Sequence, residues 1–68
     1  MASWEKEKAY YAKRAQELRA EMDRAILSAD KERFEKAHQT AMRYMTKRER
    51  SAYYRRFLEA MIARRAEA

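Results

Sequence analysis

The stretch AMRYMTKRERSAYYRRFL, residues 41–58, decides whether this 68-residue chain folds as two helices or three. Upstream of Thr46, the residues Phe34, Ala37, His38, Ala41, Tyr44 and Met45 recur at helical spacing and define one apolar face. At about 100° per residue, the stripe of Phe34, Ala41 and Met45 continued as one straight helix would fall on Arg48, Ala52, Arg55 and Glu59. The large apolar residues Tyr54, Leu58 and Met61 lie about 160° from that line. A single helix would therefore turn its apolar side outward at Thr46.

Thr46 and Glu49 have the spacing of a capping box, in which each side chain accepts from an orphan amide at a helix start. Lys47, Arg48 and Arg50 oppose the dipole in a first turn but suit the end of the preceding helix. A turn between Met45 and Ser51 satisfies both requirements. The alternative is a long helical hairpin, with helices two and three continuous, that dimerises into a four-helix bundle.

Outward from that stretch, the chain offers helix formers and little else. It has no Gly, no Pro and no Cys, and only Ile26, Ile62, Thr40 and Thr46 are β-branched, so a sheet has almost nothing to be built from. From Trp4, alternating steps of four and three pass through Lys8, Tyr11, Ala15, Leu18, Met22, Ala25 and Ala29, an apolar seam interrupted at Lys8. Ser3 is placed to cap this first helix, and Ser28 and Asp30 to end it and cap the second. The expected fold is all-α, a small three-helix bundle with helices over residues 4–28, 31–45 and 47–66 in one domain, residues 1–68. Short loops make neighbours antiparallel and helices one and three parallel.

Charge is uneven. The formal net charge is +6, and residues 46–68 hold seven basic and three acidic side chains. A basic surface attracts phosphate backbones and steers anionic partners. Arg48, Arg55, Arg56, Arg64 and Arg65 are the candidate phosphate contacts, although Glu59 interrupts the face that Arg48 and Arg55 share. The third helix has no Asn to pair with adenine, so phosphate contact fits it better than base reading. A basic face joining Lys6, Lys13 and Arg24 to Arg48 and Arg55 would favour nucleic acid.

The apolar set is thin and rich in Met and Tyr, which pack adaptably and specify one structure weakly. Assembly with a partner, or with a second copy, follows as an expectation. Trp4, Tyr10, Met42, Tyr44 and Tyr53 are the candidate interaction surface, with Tyr11 and Tyr54 assigned to the core as the inward members of their tyrosine pairs. His38 has no second His and no Cys to share a metal, and reads as a packed histidine. No nucleophile has a base placed beside it, and no Gly-rich phosphate loop exists.

The sequence thus describes a non-enzymatic protein without cofactors or a small-molecule substrate. The expected role is a protein-interaction module, with a nucleic-acid-binding accessory protein as the alternative. A charged N-terminal stretch and the lack of a long apolar run point to a cytoplasmic protein without a membrane segment.

Overall fold

The computed structural model describes residues 2–67. Three helices follow one another: α1 (Ala2–Ser28), α2 (Lys31–Ala41) and α3 (Lys47–Glu67). They form an up-down-up bundle. Arg19 meets Glu49, Asp23 meets Arg56 and Ser28 meets Arg64, so α1 and α3 advance together and are parallel. Glu21 meets Arg33 and Tyr10 meets Tyr44, the reversed order of an antiparallel pair.

Helix α1 begins at Ala2, two residues outside the expected start at Trp4; the Ser3 side chain lies outside what is described. Its end is a Schellman motif, in which Ala29 N–H donates to the Ile26 carbonyl at 3.1 Å and Asp30 N–H to the Ala25 carbonyl at 2.9 Å. The motif requires a left-handed residue, and a chain without Gly or Asn uses Ala29 at φ 51°. A β-carbon there is unfavourable by about 1 kcal/mol. Ala29→Gly is therefore expected to stabilise the fold by at most about 0.5 kcal/mol, after subtracting the extra freedom Gly gives the unfolded chain. Chemical denaturation would register this as a higher midpoint at unchanged slope.

Asp30 caps α2 as expected, its Oδ1 accepting from Arg33 N–H at 3.1 Å. Ser28 does not share that task. Its hydroxyl donates back to the Arg24 carbonyl at 3.0 Å, and its own carbonyl accepts from Arg64 Nη1 at 2.7 Å.

The second break is real, and it comes earlier than expected. Helix α2 ends at Ala41 instead of residue 45. Met42, Arg43 and Tyr44 N–H groups donate to the carbonyls three residues back, tightening the chain into a turn over residues 42–45. Thr46 then caps α3, its Oγ1 accepting from Glu49 N–H at 3.2 Å. Only that half of the capping box forms, because the Glu49 carboxylate turns to Arg19 on α1, 3.0 Å away. The long hairpin is excluded.

One cluster of buried residues holds the bundle. Helix α1 supplies Ala15, Leu18, Met22 and Ala25; α2 supplies Phe34, Ala37 and Ala41; Met45 and Phe57 complete it. Alanines line the α1–α2 contact, the most extensive of the three, and let the two backbones approach closely. Helix α3 is attached chiefly through Phe57, whose ring stacks on Phe34 with centroids 4.3 Å apart and planes 3° from parallel. The expected α1 seam is thus realised only from Ala15 onward. Trp4 and Tyr11 stay exposed because α2 and α3 do not cover this end of α1, and only Tyr44 of the turn touches the Tyr11 ring.

Candidate interaction surface

The third helix carries more apolar surface than two neighbours can cover. Its inward line is Tyr53, Phe57 and Met61, buried or half-buried against the core. Tyr54, Leu58 and Ile62 lie one position further round, which at about 100° per residue turns them to the rim facing α2, where Tyr54 still reaches His38 at 5.7 Å and Phe34 at 6.4 Å. The three are 47%, 42% and 68% exposed. This reverses the tyrosine assignment: Tyr53 is the packed member of its pair and Tyr54 the exposed one. Burial, followed by the negative charge of Asp23, pushes the Tyr53 phenol above its ordinary 10.0.

This outer row borders the groove between α3 and α2. At one end the groove is lined by His38, Lys47, Arg50, Tyr54, Arg55 and Leu58. At the other it is lined by Lys31, Glu35, Leu58, Met61, Ile62 and Arg65. His38 is half-buried on its wall, stacked on Phe34 at 5.3 Å, with Nε2 donating to the Arg50 carbonyl at 3.1 Å. The Arg50 Nε is enclosed and has no hydrogen-bond partner among the described residues.

A second apolar surface lies at the other end of the molecule. Every residue from Trp4 to Lys13 is exposed, so α1 extends past the covered part of the bundle as an arm roughly 15 Å long. At the base of the arm, Tyr10 and Tyr11 pack edge to face at 6.0 Å, and Tyr44 from the α2–α3 turn joins them at 6.2 and 5.1 Å. The Arg14 guanidinium lies over the Tyr44 ring at 5.5 Å. Met42, 62% exposed, belongs to the same turn, and Trp4 stands further out on the arm with the Lys8 ammonium over its ring. Tyr10 and Tyr44 therefore come together, Met42 lies beside Tyr44 in the turn, Trp4 shares the helix of Tyr10, and Tyr53 lies apart at the α1–α3 junction under Arg56.

The five candidate phosphate contacts also divide. Arg56 pairs with Asp23 at 3.0 Å and Arg64 binds the α1 carboxyl end, so both hold α3 against α1. Arg48, Arg55 and Arg65 are exposed, with no ion pair among the described residues. Arg48 and Arg55 face about 130° away from the side of α3 that meets α1. Glu49 and Asp23 sit at that junction, and Glu21 engages Arg24. The face that would join Lys6, Lys13 and Arg24 to Arg48 and Arg55 is not formed.

No family model, curated protein or solved structure matches the chain. No described helix is long and apolar enough to cross a membrane.

The outer rim of the α1–α2 contact is polar, and an ion pair there is pH-sensitive. The Glu21 carboxylate bridges Arg33 and Arg24, and hydrogen bonding from Arg33 holds it below its ordinary value of 4.5. A group with a lowered folded-state pKa adds stability above its unfolded value and loses that contribution as pH falls through the folded one. Stability is therefore expected to decline below pH 4.5, with a shallower decline in Glu21→Gln, as thermal melts across an acid series would show.

The outer row of α3 is what sequence reasoning misplaced. Its signal was present in the width of the apolar arc. From Tyr53 through Phe57, Met61, Tyr54 and Leu58 to Ile62 the arc covers about 180°, more than the inward face of a short bundle helix needs.

Proposed function

We propose that this protein is a non-catalytic interaction module, an adaptor that docks a partner on its uncovered apolar surface. The observation that carries this reading is the surface left exposed on folding. A compact monomer of 8.3 kDa exposes about 4,600 Å². This chain exposes 5724 Å², and its radius of gyration is 14.1 Å where about 11 Å is usual for its length. The excess of about 1,100 Å² is polar and apolar surface together and includes the α1 arm, and it leaves room for the roughly 800 Å² that one partner contributes to a standard interface. Tyr54, Leu58, Ile62, Trp4, Tyr10 and Tyr11 are among the exposed large apolar side chains.

The arginines support this reading over nucleic-acid binding. Two of the five candidates are committed within the fold, and the remaining three flank or adjoin an apolar row instead of forming a track. Leu58→Asp combined with Ile62→Asp is expected to keep the protein folded and helical at a cost of about 1–2 kcal/mol, since Ile62 is exposed, Leu58 is 42% exposed and Asp is the poorer helix former. The same double variant should lose all binding to helical peptides selected on the native protein from a displayed library. Tight binding to duplex DNA at about 0.15 M salt, retained in that variant and abolished by Arg48→Gln, Arg55→Gln and Arg65→Gln together, would overturn the reading.

A further inference from the structure

We propose that the α2–α3 groove receives an acidic amphipathic helix of a partner protein. This rests on the interaction-module reading and specifies the partner's chemistry. The shape argument comes first. Tyr54, Leu58 and Ile62 repeat every four residues along about 12 Å of α3. Half-buried Met61 lies beside them, and His38 and Glu35 border them from α2. A row of this length, set along a helix-lined groove, matches the i, i+3, i+4 and i+7 side chains of one incoming helix.

Charge then selects among occupants. Lys31, Lys47, Arg50, Arg55 and Arg65 line the groove, against one carboxylate, Glu35. None of the five has an ion pair among the described residues, whereas Arg14, Arg19, Arg24, Arg33 and Arg56 each face a carboxylate elsewhere on the molecule. Lys36, Arg43 and Arg48 also have no ion pair among the described residues, so what sets the groove apart is that five such cations gather around one carboxylate. A second copy docked on this face by two-fold symmetry would set these like charges against one another, which disfavours it. A helix with carboxylates flanking its apolar stripe would meet them with opposite charge, gaining on-rate and register.

The test uses the full chain and two synthetic peptides of about 18 residues, long enough to follow the groove from Lys47 to Arg65. Both carry Leu at i, i+4, i+7 and i+11; the polar positions are mainly Glu in one and mainly Lys in the other. Anisotropy titration at about 0.15 M salt should show the Glu peptide binding at least tenfold tighter, with the gap narrowing near 1 M. Arg55→Glu with Arg65→Glu, both exposed, leaves three cations against three carboxylates and should abolish the preference while circular dichroism stays native. Equal affinity for the two peptides would overturn the acidic-helix inference and leave the docking surface standing. Self-association lost in Leu58→Asp, with neither peptide bound, would also overturn it in favour of a second copy. If neither peptide binds while duplex DNA or anionic phospholipid vesicles do, both the inference and the interaction-module reading fall.

Discussion

Phe34→Ala is expected to cost about 3–5 kcal/mol and to leave much of the protein unfolded without denaturant. Phe34 is 0% exposed, one of the two largest side chains fully enclosed in the fold. Its ring stacks on Phe57, lies 5.3 Å from His38 and 6.4 Å from Tyr54, so one side chain links the α2 surface to two turns of α3. Truncation removes the buried ring and leaves a cavity whose remaining walls, Ala37 and Ala41 among them, have no rotamers with which to fill it. A chain of 68 residues holds only about 3–10 kcal/mol in total, so the loss is of the same size as the stability it is taken from.

Helix α3 should detach first, since Phe57 is its principal buried anchor. Phe57→Ala should cost a comparable amount, and the double variant less than the sum, because the two rings share one contact. Far-UV circular dichroism during urea titration is the right probe. The single Trp, Trp4, is 66% exposed on the projecting arm and reports little of the core.

The sequence was most legible where an element is covered on both flanks. Helix α2 is such an element, and Phe34, Ala37 and Ala41 are all buried where its period places them, whereas Met45 reaches the core from the turn that follows. The α1 seam was readable in phase but not in extent. Period reveals which side of a helix is apolar, whereas coverage depends on how far the neighbours reach, and α2 with its turn stops opposite Tyr10.

For α3, the expected line Tyr54–Leu58–Met61 holds only at Met61, and the line that packs is Tyr53–Phe57–Met61, one residue round from Tyr54 and Leu58. The choice was made by the stack of Phe57 on Phe34, a contact between residues 23 apart in sequence that no local pattern encodes. The same limit applies to the arginines. Composition identified a basic third helix, yet only tertiary pairing assigned Arg56 to Asp23 and Arg64 to the Ser28 carbonyl. The groove cations were visible as residues but not as a group, because Lys31 comes from α2 and the others from α3 and its first turn.

The contact between α1 and α2 provides the second large effect. Met22 is 0% exposed, in a seam otherwise built from Ala15, Leu18, Ala25, Ala37 and Ala41. Met22→Ala is expected to cost about 2–5 kcal/mol, towards the upper end of that range. Alanine favours helix over methionine by only a few tenths of a kcal/mol, so improved propensity cannot offset the cavity. Neighbouring alanines cannot move a side chain into the space, and closing it would require the two backbones to shift together against the Phe34–Phe57 stack. Met22→Leu conserves volume and should cost less than about 1.5 kcal/mol. The contrast separates loss of volume from loss of the thioether. If Met22→Leu were as damaging as Met22→Ala in urea titrations, shape and not bulk would be what position 22 contributes, and the adaptable packing expected of a methionine-rich core would not apply to this seam.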